Sequence, residues 1–131
     1  MEFPKELRYT KTHEWARREG NRVRVGITEH AQHEISDVVF VELPKPNAEA
    51  AKEKGVAVVE SVKAAFEIYA PVSGKVVKAN TALESEPALV NKEPYGSGWF
   101  FEIEMTHPSE WDSLMKAEDY KSQCKIGRAH V

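Results

Sequence analysis

Cysteine is nearly absent. Cys124 is the only one in 131 residues, so no internal disulfide framework can hold the fold, which fits a reducing compartment. An excess of one charge is missing too. Lys and Arg number 18 against 21 Asp and Glu, a formal net charge of −3. No basic surplus is available to grip nucleic acid or an anionic membrane, so neither is expected as a partner. Apolar runs such as Val38-Val39-Phe40-Val41 fall far short of the roughly 20 residues that span a bilayer. Phosphate-binding loops are also lacking. Gly74, Gly96 and Gly98 sit in turns that lead into strands, whereas such a loop needs a helix after it. The N-terminus, Met1-Glu2-Phe3-Pro4-Lys5-Glu6, has no basic start running into an apolar stretch, and no secretory signal is expected.

What is present suits one soluble domain. Residues 1–124 are expected to form it, with 125–131 a frayed tail or an appended remnant. Arg22 to Ile27 alternates basic and apolar residues with the period of a half-buried strand. Thr28 then caps a short helix over 29–35, with Ala31 and Ile35 facing inward. Asp37 to Leu43 reads as a buried strand ending at Pro44. The polar stretch 45–55 reads as a surface loop with a helical turn, because neither flank is large enough for a separate domain. Two strands follow, 56–63 and 66–71, reversing tightly about Lys63. A third runs from Lys75 to Asn80, after the turn Val72-Ser73-Gly74. Gly55-Val56-Ala57-Val58-Val59 and Gly74-Lys75-Val76-Val77 echo each other weakly, as two similar halves packed face to face would. Trp99, Phe101, Ile103 and Met105 share one face of a late strand. After Pro108, Ser109 is placed to cap a helix carrying Trp111, Leu114 and Met115 at i, i+3 and i+4 spacing. The sum is a mainly β fold of two packed sheets with small helices.

Lys63 is the unusual feature. A lysine at a hairpin tip commonly serves only to keep the tip solvated. Here it is the only charge between Glu60 and Glu67, and Ser61, Val62, Ala64 and Ala65 flank it. A primary amine on a firm hairpin is an accessible attachment point. As an ammonium it is a poor nucleophile at neutral pH, so an attaching enzyme has to supply an activated acyl group and remove the proton.

Glu60-Ser61-Val62-Lys63-Ala64-Ala65, with Ile68-Tyr69-Ala70-Pro71-Val72-Ser73-Gly74-Lys75-Val76-Val77 after it, resembles the lipoyl-attachment stretch of the glycine cleavage system H-protein family. Other blocks match in order: His13-Glu14-Trp15, Val25-Gly26-Ile27-Thr28, Ala31-Gln32, Val38 to Pro44, Leu89-Val90-Asn91 and Pro94 to Trp99. The resemblance runs from about Leu7 to Tyr120.

The resemblance implies a barrel-sandwich hybrid fold, as in lipoyl and biotinyl carrier domains. It implies lipoic acid in amide linkage on Lys63, and a carrier rather than an enzyme. The lipoyl arm would take the aminomethyl group of glycine from the pyridoxal-phosphate-dependent P-protein (glycine decarboxylase). It would present that group to the tetrahydrofolate-dependent T-protein (aminomethyltransferase), which releases ammonia. The flavin-dependent L-protein (dihydrolipoyl dehydrogenase) would then reoxidise the dithiol. A lipoate-attaching enzyme is a further implied partner. The loaded arm, which can otherwise lose ammonia and formaldehyde to water, is parked in a cleft whose matching positions are Thr12, Glu14 and Glu67. Carboxylates can pair with its ammonium and a hydroxyl can add a hydrogen bond. Family members often have Ser and Asp where this chain has Thr12 and Glu67. A carrier that visits several enzymes should make small, transient and salt-sensitive contacts, and a monomer is expected. The absence of a transit segment points to the bacterial cytoplasm, or to the mitochondrial matrix for a processed eukaryotic protein.

Rival readings are a lipoyl or biotinyl carrier of another pathway, including one that relays lipoate, an unmodified β-rich interaction module, and a hydrolase using His13 or Glu14 as base. The Met-Lys-Met tripeptide usual in biotinyl domains is absent, since Val62-Lys63-Ala64 stands there. His30 and His33 are three apart on a helix, but with no partner cluster they read as surface histidines and not as metal ligands. His13 reads as a packing or hydrogen-bonding residue at a strand start, Cys124 as a helix-side thiol, and Trp15, Trp99 and Trp111 as core or cleft wall.

Overall fold

Val23, Val25 and Ile27 turn to one side of the strand they alternate in, and all three are buried. The computed structural model describes the backbone of residues 1–129 and the side chains of residues 1–124; the tail expected over 125–131 lies outside the fully described residues. The strands are β1 (Arg8–Tyr9), β2 (Glu14–Glu19), β3 (Arg22–Ile27), β4 (Val38–Glu42), β5 (Glu49–Ala50), β6 (Gly55–Ser61), β7 (Ala65–Tyr69), β8 (Gly74–Ala79) and β9 (Phe101–Met105). The helices are α1 (Glu29–Ile35), α2 (Ala82–Ser85), α3 (Leu89–Lys92) and α4 (Ala117–Ala129), with a 3₁₀ turn at Pro108–Ser113.

Two sheets face each other. One has six strands in the order β1-β2-β3-β9-β8-β5, the other three in the order β4-β6-β7, and every strand pair is antiparallel. Between them lie Val23, Val25, Val41, Val59, Ile68, Val76, Phe101 and Ile103. Full burial of such side chains contributes about 1.5–3 kcal/mol each, an upper figure because the unfolded chain is already partly compact. The echoing segments fall in opposite sheets, β6 in the smaller and β8 in the larger. This is the expected barrel-sandwich hybrid. A second cluster, Leu7, Tyr9, Trp15, Trp99, Ala117, Tyr120 and Cys124, fastens α4 to the N-terminal strands. Within it the Tyr9 and Tyr120 rings stack 4.6 Å apart.

α1 starts as its sequence requires. Thr28 is extended, and its hydroxyl accepts from the Ala31 amide at 3.2 Å. Ile35 is buried and Ala31 packs against the core.

Several expectations need correction. β4 is an edge strand and not a buried one. Among the described residues only β6 pairs with it, and Val39 and Phe40 stand more than half exposed. The 45–55 stretch is a surface segment but carries the short strand β5 in place of a helical turn. Trp99 precedes β9 and belongs to the second cluster. The helix expected from Ser109 is a 3₁₀ turn that begins at Pro108, with no side-chain cap. Leu114 is extended there, because Met115 exchanges backbone hydrogen bonds with Tyr9 at 2.8 and 2.9 Å. That pairing overrides the helical spacing, and the true helix starts at Ala117.

Candidate functional site

The β6–β7 hairpin presents Lys63 at its tip. The Ser61 amide donates to Ala64 O at 2.9 Å and closes the turn. The Ser61 hydroxyl accepts from the amides of Lys63 and Ala64 at 3.1 and 3.4 Å. The Val62 amide donates to Asp37 O at 3.0 Å, which ties the tip to the approach to β4. The backbone of the tip is thus braced, while the Lys63 side chain is exposed and donates from Nζ to the Glu34 carbonyl at 2.9 Å. Ser61→Ala removes the hydroxyl that holds two tip amides. It should cost about 1 kcal/mol and speed tip-amide hydrogen exchange roughly fivefold; exchange rates at Lys63 and Ala64 check this.

Lys63 stands on the rim of a cleft of about 390 Å³. Thr12, His13 and Glu14 form one wall, Ala31, Glu34 and Ile35 of α1 another, and Phe66 to Tyr69 of β7 a third. Thr12, Glu14 and Tyr69 also border a larger cleft of about 600 Å³ on the far side, which Lys52 and Gln123 help to line and Lys63 does not. Size does not decide between the two. The cleft that Lys63 can enter without crossing the wall is the smaller.

Glu14 is the chemical centre of that wall. It begins β2 directly after a tight turn in which the His13 amide donates to Thr10 O at 3.2 Å, with His13 at φ +74°. The residue is only 1% exposed, which for a carboxylate requires partners. Oε1 accepts from the hydroxyls of Thr10 and Thr12, both at 2.5 Å, and Oε2 accepts from the Tyr69 amide at 3.1 Å. A carboxylate offers about four acceptor positions, and Oε2 takes one donor from a distant residue, the Tyr69 amide. Burial pushes the carboxyl above its ordinary range, against the lowering effect of those hydrogen bonds. Glu67 is exposed on β7, its carboxyl group folded over Gly55, where a Cβ would come within 2.9 Å of Cδ. Thr12, Glu14, Glu67 and Lys63 therefore line one cleft, though Glu14 is sunk in its wall and Glu67 lies near its mouth.

A model of the glycine cleavage H-protein matches residues 7–126. The chain belongs to the glycine cleavage H-protein family. It is 52% identical to the glycine cleavage system H protein of Thermus thermophilus over 121 residues, covering 92% of this chain and 94% of that one. It is 50% identical to the one from Methylacidiphilum infernorum over 121 residues with the same coverage. The crystal structure of an H protein from Mycobacterium marinum superposes with a TM-score of 0.85 at 34% identity, covering 93% of this chain and 98% of that one.

As an H-protein the chain is a carrier of the glycine cleavage system and not a catalyst, so the hydrolase reading falls away. Its family carries lipoate and works with the enzymes of that system. No described helix is long and apolar enough to cross a membrane. The sequence reading missed Thr10, whose hydroxyl holds Glu14 as closely as that of Thr12 does. The Thr-x-Thr-x-Glu spacing was the available signal, since a tight turn brings positions i, i+2 and i+4 together. Ser61 and the Tyr69 amide were missed as well, and the amide leaves no trace in residue identity. His13 makes a hydrogen bond as expected, Nδ1 to the Tyr120 hydroxyl at 2.8 Å. His33 is exposed. His30 is not a surface histidine. Its side chain is only 13% exposed and pairs with Glu34 at 2.7 Å, and its ring centroid lies 4.5 Å from that of His13.

Proposed function

We propose that Lys63 bears lipoate in amide linkage and that the arm lodges, when loaded, in the cleft formed by Thr12, Glu14 and Glu67. Bound lipoate would supply a disulfide–dithiol pair able to carry the aminomethyl group of glycine from the P-protein to the T-protein and two electrons to the L-protein, while Lys63 would hold it and Thr12, Glu14 and Glu67 would receive its loaded end. A lipoate-attaching enzyme must first recognise the hairpin.

The observation that carries the reading is a braced hairpin lysine on the rim of a cleft with a buried carboxylate in its wall. The arm must swing, but its base must be fixed, because tethering helps only if both partner sites are within reach. The loaded arm ends in an ammonium, and Glu14 Oε2 can accept from it where water has limited access, which strengthens the contact. Glu67 adds an exposed second carboxylate. It steers the amine more than it holds it, since exposed ion pairs contribute about 0–1 kcal/mol.

The test is the intact mass of chain made in a lipoylation-competent host, with the modified peptide mapped to Lys63. An unmodified chain overturns the reading. For the cleft, Glu67→Ala should speed formaldehyde release from the loaded protein by no more than about fivefold. A larger rise would make Glu67 the principal anchor in place of Glu14.

A further inference from the structure

Three side chains that the carrier role leaves unused meet beside the cleft. His13 comes from the β1–β2 turn, His30 from α1 and Cys124 from α4, and one donor atom of each lies within 4.8 Å of the other two. No other such trio occurs among the described residues. We propose that His13, His30 and Cys124 hold a zinc-class cation, with water in the fourth position.

The chemistry of the donors selects the ion. Two imidazoles and a thiolate suit zinc, and they suit magnesium or calcium poorly. Zinc sits about 2.0–2.1 Å from nitrogen and 2.3 Å from sulfur, so a tetrahedral site draws its donors to within about 3.7 Å of one another. Small side-chain rotations close that gap. Each ring has one nitrogen engaged and one left for a metal. His13 Nδ1 meets the Tyr120 hydroxyl at 2.8 Å, and His30 Nε2 meets Glu34 Oε1 at 2.7 Å. These are the outer contacts that orient metal-binding histidines, a carboxylate on one ring and a hydroxyl on the other. The hydroxyl is itself fixed, 2.7 Å from Thr28 Oγ1. Cys124 is buried and hydrogen-bonded to Tyr120. On binding, the Cys124 S–H proton leaves to solvent and a sulfur–metal bond replaces it. The ion thereby pins α4 and α1 to the turn that carries Thr12 and Glu14.

The experiment uses the full chain as Lys63→Arg, so that no lipoyl dithiol competes for metal. Cobalt(II) chloride is titrated first, then zinc chloride in competition. The expected result is one equivalent bound, with a thiolate-to-cobalt charge-transfer band that zinc abolishes. Cys124→Ser should lose the band, and Cys124→Ser and His30→Gln should each bind zinc at least about 100-fold more weakly. The band is read on the chain with all three ligands intact, so it stands even if a variant fails to fold. Absence of the band, or zinc affinity within a few-fold of the parent in either variant, overturns the proposal.

Discussion

Lys63→Arg leaves the chain without a lipoyl group and without measurable carrier activity in a reconstituted glycine cleavage reaction. The arginine keeps the positive charge and the exposed position, so stability should move by less than about 0.5 kcal/mol. What is lost is an amine that can be acylated. The expected size follows from tethering. A linked group acts at an effective concentration on the order of millimolar, so free lipoate at micromolar levels falls short by about three orders of magnitude. Intact mass is the first measurement, with the parent one lipoyl group above its sequence mass and the variant at its own. Glycine-dependent reduction through the partner enzymes is the second. A parent whose mass shows no lipoyl addition, or activity surviving in the variant, would remove the arm from Lys63.

The second large effect is at Glu14. Glu14→Ala strips the acceptor from two hydroxyls and the Tyr69 amide at once, and should cost about 3 kcal/mol or more, read as a fall in the urea midpoint. Glu14→Gln keeps the shape and one acceptor oxygen and should cost about 1–2 kcal/mol. It discards the charge proposed to meet the ammonium, a hydrogen bond worth about 1.5–3 kcal/mol, so formaldehyde release from the loaded arm should quicken roughly 10- to 100-fold. An unchanged rate would relieve Glu14 of its role. Acidity probes the same group. Burial raises the Glu14 carboxyl above its ordinary 4.5, so the folded chain binds this proton more tightly than the unfolded one. Its contribution to stability is therefore greatest below 4.5 and declines as pH rises through the raised value. Retention of the loaded arm runs the other way, because the ammonium needs the carboxylate. Release should quicken as pH falls through the raised value in the parent, and stay flat there in Glu14→Gln. The other charged groups lining this wall are His13, Glu34, Lys63 and Glu67 on one side and Lys11, Lys52 and Glu53 on the other. Comparing parent with variant cancels their titration.

Local periodicity carried much of the fold. β3, the β6–β7 hairpin, β8 and the cap of α1 follow from alternation, turn residues and one hydroxyl. It failed where distant contacts decide. Glu14 to Glu19 does not alternate, because the chain enters β2 with Glu14, Trp15 and Ala16 all buried and leaves it in solvent. Trp111, Leu114 and Met115 have helical spacing, but the backbone of Tyr9 recruits Met115 into a bridge. At the site, the resemblance supplied Lys63, Thr12, Glu14 and Glu67 by position. The sequence could not reveal that Glu14 is buried, or that a backbone amide fills one side of its carboxylate. The meeting of His13, His30 and Cys124 was equally hidden, since the chain carries them on three separate elements.

β9 lies between β3 and β8 in the larger sheet, and its Ile103 faces Val23 of β3, far away along the chain. Such pairings are entropically costly to bring together, and folds built on them assemble in milliseconds to seconds. A ribosome must therefore pass Met105 before the barrel can shut. The β6–β7 ribbon, whose pairing is local, can form long before its surroundings exist.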